Sequence, residues 1–385
     1  MDPVTALLWA SAAASGAVGW SGRFECLPVA LGVLLCWRWS RSRGEALGVG
    51  LAYYGAASFG LVNGASLFFG SATGWSSAGV LVWVGVSLLL AIPWALLWSP
   101  SFATRASSRV IHGILLGLVL LLPPIGLLSG VNPWVGGAAA MPGLGVLGLL
   151  VVTMSLLAPD KKTWPGWASA LALVSALACG NYEPAPSMNW AGVSTRYGAL
   201  GDRSPVEQYD MAADAWRRAS MSDADVVLFP EGVGGTWTPS TASLWALQAQ
   251  ESERETVWVV GAMQGDARGQ HNGVGVVGKG EPYFWSQRLP APIGMWAPWH
   301  ARHVKSDLLR SSVEVIQGRR AALLLCFEQF VGWPALQSAL EGAEVVLAPA
   351  NLWFARGTNL NAVREVTLQS WGALMGWTVV EAING

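Results

Sequence analysis

The first half of the chain is a succession of long apolar runs, and the second half alternates short apolar stretches with polar ones. A bilayer-crossing helix needs about 20 consecutive apolar residues. About seven runs come near that length, at 4–21, 24–39, 47–69, 79–98, 110–129, 139–158 and 164–181. The second is short and reads as tilted or partly interfacial. Pro93, Pro123 and Pro124 fall inside runs. Bundled membrane helices tolerate such prolines where neighbours satisfy the freed carbonyls. The first run lacks a basic lead-in and more runs follow, so it reads as a span, not a signal peptide. The predicted organisation is a multi-pass transmembrane domain over 1–181 and an aqueous domain over 182–385.

The second half predicts strands alternating with helices, the pattern of a layered α/β domain. Strands are predicted at 189–194, 225–229, 256–261, 273–278, 321–325, 344–348 and 377–382. Ser204-Pro205 with Glu207 opens a helix to about 220, and Thr238-Pro239 opens another to about 253. Both have an N-cap hydroxyl followed by proline at the first helical position. Further helices are predicted near 333–341 and 358–375.

Charge sharpens this division. The chain of 385 residues is 52% hydrophobic and 12% charged, about half the usual charge of a soluble domain. Residues 1–180 are nearly free of it. Arg38, Arg41 and Arg43 follow the second run, Arg105 and Arg109 the fourth, and Lys161 and Lys162 the sixth; the alternate loops hold only Arg23, offset by Glu25. Basic loops mark the cytoplasmic side. An odd number of spans then makes residues 182–385 extracytoplasmic, on a bacterial-type plasma (inner) membrane. Ionisable groups are scarce within the runs, with His112 near a boundary, whereas a transporter would need some at mid-depth. An anchor or lipid-access platform fits better. A net charge of −1 leaves no basic stripe to neutralise phosphates, so nucleic acid is not an expected partner.

Cys26, Cys36 and Cys179 lie in apolar runs, which leaves Cys326 as the one thiol of the polar half. It ends the apolar stretch Ala321 to Leu325, at the strand end where open α/β sheets place their chemistry. A free cysteine is more often a small buried core residue. Glu231 ends another strand, after Phe229-Pro230, although a carboxylate there also serves merely to cap a turn. A carboxylate and a thiol at two strand ends make a candidate base and nucleophile. No metal-ligand spacing and no Gly-rich phosphate loop is present, so no metal and no cofactor are expected.

Seven stretches resemble the nitrilase superfamily of carbon-nitrogen hydrolases, and within it apolipoprotein N-acyltransferase. They are Phe-Pro-Glu at 229–231, His-Asn at 271–272, Val-Gly-Lys-Gly-Glu-Pro-Tyr at 277–283, Pro-Ile-Gly at 292–294, Cys-Phe-Glu at 326–328, Asn-Leu-Trp-Phe at 351–354 and the closing Ala-Ile-Asn-Gly. The stretch 287–296 is most similar to the conjugal-transfer branch, TraB. The resemblance implies an N-terminal helical transmembrane bundle followed by an α-β-β-α sandwich, here C-terminally shortened. It also implies a Glu-Lys-Cys triad, with Glu231 as base and Cys326 as the thioester-forming nucleophile. The family lysine aligns with Gln287, beside Arg288; a second family glutamate is here Met295. Lys279 matches a different position and Lys305 lies too far along.

Two readings are open. In the first, the chain is a membrane-bound acyltransferase or amidase. Arg288 replaces the lysine charge, a backbone N–H near Phe327 helps hold the oxyanion, and Glu328 shapes the acceptor site. Trp296, Trp299 and Trp353 support the substrate, with Gln287 beside them. A phospholipid is the acyl donor, and an amine, peptide or water resolves the thioester. In the second, the chain is a catalytically inactive binding or assembly factor, with conjugal transfer as its setting. Neighbours on a regular strand face opposite ways, so only one of Gln287 and Arg288 can enter the site. If Gln287 enters and Arg288 points away, the site has no cation from this strand and the second reading is to be preferred.

Overall fold

The structure, a computed structural model, describes residues 2–73, 77–160, 162–201, 203–251, 256–266, 269–278, 280–299 and 303–385. Lys161 and Lys279 lie outside the described residues. In chain order the helices of the first half are α1 Pro3–Gly19, α2 Gly32–Trp39, α3 Arg43–Ala57, α4 Leu61–Thr73, α5 Ala78–Leu96, α6 Ala106–Leu121, α7 Pro133–Ala140, α8 Gly145–Leu157 and α9 Trp164–Asn181. The second half runs β1 Trp190–Gly192, α10 Pro205–Ser220, β2 Val226–Leu228, α11 Pro239–Gln250, β3 Val257–Asp266, β4 Gly269–Val277, β5 Tyr283–Ser286, β6 Val313–Ile316, β7 Arg319–Leu323, α12 Gly332–Leu340, β8 Val345–Asn351, α13 Leu360–Met375 and β9 Thr378–Asn384.

The chain divides into two compact units. One comprises residues 1–184, 330–333 and 357–377; the other comprises 185–329, 334–356 and 378–385. Helix α13 therefore belongs with the helical unit, although the chain pattern puts it among the strands.

The seven apolar runs do not each become one long helix. Among the described residues, α5 (19 residues) is the helix long and apolar enough to cross a membrane; α7 and α8 reach that together, bent by 111° at their break. Run 24–39 splits into a 3-10 segment, Phe24–Leu31, and the eight-residue α2. Run 47–69 is shared between α3 and α4. Pro123 and Pro124 do not lie inside a helix: α6 stops before them, at Leu121, because proline lacks the N–H that would continue the ladder. Pro93 does sit inside α5. Buried aromatics tie the helices together: Trp20 Nε1 donates to Tyr53 Oη at 2.7 Å, and Tyr53 Oη donates to the Val131 carbonyl at 3.1 Å.

The other unit contains two sheets. The first has the order β1-β2-β3-β4-β5, parallel through β3 and antiparallel thereafter; the second has the order β6-β7-β8-β9, antiparallel between β6 and β7 and parallel after it. Period-2 alternation sorts the first sheet's side chains. Val227, Trp258 and Val260 pack with Trp216 and Ala215 of α10 and with Trp245 of α11. Val226, Leu228 and Val259 share a second core with Leu323, Val345 and Leu347 of the other sheet. One layer of helices and two facing sheets follow directly from that alternation. The caps form as their residue types predict: Ser204 and Glu207 close a reciprocal capping box on α10, satisfying two orphan N–H groups. The short strands β5 and β6 were not predicted from the pattern.

Candidate active site

Glu231 follows β2 through Phe229 and Pro230. The turn lies hard against β3, where a side chain at Gly261 would meet the Pro230 carbonyl oxygen at 2.2 Å and the Glu231 Cα at 2.5 Å. Gly232 then reverses the chain at φ +81°, a conformation cheap only for glycine. Glu231 is buried. Its Oε1 accepts from Asn272 Nδ2 at 2.7 Å and its Oε2 from the Asn351 backbone N–H at 3.1 Å.

Cys326 follows β7. Leu324 extends the parallel ladder by donating its N–H to the Leu347 carbonyl, and a 3-10 segment, Cys326–Phe330, then begins. Cys326 has φ +49°, in the left-handed region that side chains with a Cβ rarely adopt. Residues held in such conformations gather at functional sites. The half-buried thiol stands close enough to the Glu231 carboxyl to favour its ionised form. Burial pushes the Glu231 carboxyl above the ordinary carboxylate range; the nearby Cys326 thiol and the bonds from Asn272 and Asn351 oppose that shift, and the nearby Glu328 adds to it.

Gln287 enters this network. Its N–H donates to the Asn272 carbonyl at 2.8 Å, one step beyond the Gly273–Ser286 pair of β4 and β5. Gln287 and Asn272 are thus cross-strand neighbours, whose side chains share a face. Gln287 Oε1 accepts from Asn272 Nδ2 at 2.8 Å, while Nε2 donates to the Leu289 carbonyl at 3.0 Å and the Leu325 carbonyl at 2.7 Å. An amide has two N–H donors, and both are used here. Asn272 likewise spends both side-chain N–H groups, on Glu231 and Gln287.

Arg288 does not supply the site's charge, which corrects the role expected for it. As the next residue along an extended chain, it takes the other face. Its guanidinium is fully buried and donates through Nη2 to the Leu323 and Pro334 carbonyls and to Ser338 Oγ, with Nε 3.5 Å from Glu328 Oε1. Glu328 also departs from its expected role at an acceptor site. Its carboxylate accepts from the N–H groups of Arg288, Leu289 and Leu325 at 3.1, 3.0 and 2.9 Å. It therefore clamps the 288–289 segment to the turn that carries Cys326. Burial pushes the Glu328 carboxyl up and the Arg288 guanidinium down, and their mutual attraction opposes both shifts.

The remaining candidates are placed less centrally. Phe327 is half-buried in the 3-10 turn. Trp296 is fixed by backbone bonds of its own loop, to Ala291 and Ile293, and Trp299 is exposed. Trp353 stands edge-on to Phe354, ring centroids 6.0 Å apart. Sequence reasoning assigned no role to Asn272, nor to the Asn351 N–H, nor to Asn384. Asn384 is fully buried and holds Asn351 by donating Nδ2 to its Oδ1 at 2.9 Å. The available signal was that each of the three lies in a stretch carrying the resemblance.

No family model matches the chain. It is 32% identical over 378 residues to the probable conjugal transfer protein TraB of Sinorhizobium fredii, covering 96% of this chain and 95% of that one. The chain belongs to the TraB family of conjugal transfer proteins. The Agrobacterium fabrum conjugal transfer protein TraB is 30% identical over 394 residues, covering 98% of this chain and 92% of that protein. Among solved structures, this TraB-family chain is similar to an amidase from Nesterenkonia sp. AN1, at TM-score 0.39 and 18% identity over 51% of this chain and 79% of that one. It is also similar to a carbon-nitrogen hydrolase from Helicobacter pylori, at TM-score 0.41 and 13% identity over 51% and 73%. Among its described residues, no group of three or more His, Cys, Asp or Glu is placed to hold a metal ion.

Proposed function

We propose that this chain is a membrane protein of conjugal transfer with a nitrilase-type cysteine site that forms an acyl thioester slowly. The nearness of the Cys326 thiol to the Glu231 carboxyl, at a cysteine held in the left-handed region, carries this reading. Glu231 takes the thiol proton as sulfur attacks an ester or amide carbonyl. The C–O or C–N bond breaks, and Glu231 returns the proton to the leaving alcohol or amine. An incoming amine or water then gives a proton to Glu231 and attacks the thioester, and the thiolate leaves and is reprotonated. A phospholipid is the proposed acyl donor and an amine or peptide the acceptor.

The slowness has a geometric cause. The Gln287 amide has no N–H left for an oxyanion, and Arg288 is committed elsewhere. Backbone N–H groups near Phe327 are then the proposed donors for that charge. Losing one oxyanion donor costs a factor of about 10²–10³ in rate. The same observation favours a second reading, in which the site only binds a ligand and the protein acts as an assembly factor.

Membrane location is supported by large apolar side chains that face outward, Leu81, Leu96, Leu147 and Leu173 among them, and by α9, which buries no side chain. An apolar surface of this extent needs a cover. The basic-loop asymmetry supports an extracytoplasmic second unit.

The test is mass spectrometry of protein purified from membranes. A hydroxylamine-sensitive acyl adduct on Cys326, absent in Glu231→Gln, supports the thioester. An unmodified Cys326 after incubation with phospholipid, together with normal plasmid transfer by Cys326→Ser, favours the binding role.

A further inference from the structure

The C-terminal end of α8 and the residues after it, up to Asp160, present a row of backbone carbonyls. Two buried arginines from other helices meet there. Arg38, in the last turn of α2, donates Nη1 to the Leu156 carbonyl at 2.9 Å and Nη2 to that of Pro159. Arg109, in the first turn of α6, donates to the carbonyls of Leu157 at 2.7 Å, Phe102 at 2.7 Å, Ala158 at 2.8 Å and Pro159 at 3.3 Å, and pairs with Asp160 at 2.9 Å. Two segments marked as basic in the sequence thus converge on one helix end.

A helix C-terminus offers roughly half a negative charge. Among the described residues it faces the full positive charges of Arg38 and Arg109, and the carboxylate of Asp160 is bonded to Arg109. The excess lies with Arg38, which shares the Pro159 carbonyl with its like-charged neighbour. Two of its five N–H groups are used on the carbonyls; a guanidinium always carries its charge. Arg38 lines an open cleft of 390 Å³, whose other walls among the described residues are Trp39, Trp164 and Pro165. That volume is within the ~300–1,000 Å³ typical of small-ligand sites. Trp39 is 46% exposed and Trp164 half-buried, the setting in which indoles sit at headgroup level. Basic pockets between helices on the cytoplasmic side bind anionic headgroups.

We propose that this cleft holds the phosphate of an anionic phospholipid, with Arg38 as its charge partner and Trp39 and Trp164 as its walls. The site is distinct from the thiol site. It rests on the membrane location proposed above.

The test is native mass spectrometry of the full chain in neutral detergent, titrated separately with phosphatidylglycerol and phosphatidylcholine. One phosphatidylglycerol should be retained at least tenfold more tightly than phosphatidylcholine. Arg38→Gln and the double variant Trp39→Ala/Trp164→Ala should each lose about tenfold, and Arg105→Gln should lose nothing. Should Arg38→Gln fail to fold, the tryptophan double variant decides. Equal retention of the two lipids, or undiminished phosphatidylglycerol retention in the double variant, overturns the proposal. So does a protein that binds inorganic phosphate at this site but retains no lipid. A failure of the membrane reading itself looks different: the chain would then stay out of the membrane fraction on flotation.

Discussion

Gln287 and Arg288 are adjacent in the chain and belong to different networks. The Gln287 amide joins Asn272, which joins Glu231; the Arg288 guanidinium joins Glu328 and Ser338. The position facing the thiol-carboxyl pair is therefore neutral, and the neighbouring cation serves the packing of the turn.

This arrangement predicts a gain from Gln287→Lys. An ammonium has three donors, enough to keep a bond to Leu325 and still face Glu231 or a developing oxyanion. Acylation of Cys326, followed by mass spectrometry over time, should speed up by a factor on the order of 10–10². An unchanged rate in a folded variant would mean that the missing cation is not what limits the chemistry.

Arg288 and Glu328 should matter through stability. Removing one member of a buried ion pair costs about 3–5 kcal/mol, because the other charge is left uncompensated. Glu328→Ala also strands the N–H groups of Arg288, Leu289 and Leu325. Denaturation of the detergent-solubilised protein should show losses of this size for Glu328→Ala and Arg288→Ala, and a smaller loss for Arg288→Lys. If Arg288→Ala instead keeps its stability but stops acylation, the guanidinium has a chemical role after all.

The raised Glu231 carboxyl sets the pH dependence. A base must be ionised, so Cys326 alkylation by iodoacetamide should fall as pH drops through a midpoint above the ordinary carboxylate range, about 4.3 for glutamate. Asn272→Ala removes a donor to the ionised form and should move that midpoint higher. Stability responds with the opposite sign. A folded value above the unfolded one contributes stability fully below the unfolded value, and that contribution is lost as pH rises through the folded value. A midpoint unmoved in both Asn272→Ala and Glu231→Gln would remove Glu231 from the reaction.

Orientation can be read with a reporter. A fluorescent protein that matures only in the cytoplasm, fused after Gly385, should remain dark, and a periplasmic phosphatase at the same point should be active. The reverse pattern would place the second unit on the cytoplasmic side.

Much of the strand-and-helix layout was legible because its signals are local. Apolar runs bounded by turn residues marked β2, β3 and β8, and hydroxyl-proline pairs marked the starts of α10 and α11. Glu231 and Cys326 were legible as strand-end residues for the same reason. Tertiary structure decided what depends on register between distant strands. Gln287 faces the site because it stands opposite Asn272, and Arg288 follows to the other face. Nothing within a few residues of either position carries that information. The first half shows the same limit. Apolar composition indicates where helices can lie, but the proline and glycine breaks divide the runs into shorter pieces. The meeting of Arg38 and Arg109 at the end of α8 exists only once those pieces have packed, since hydrogen bonds linking residues 118 and 48 positions apart are a property of the fold and not of any segment.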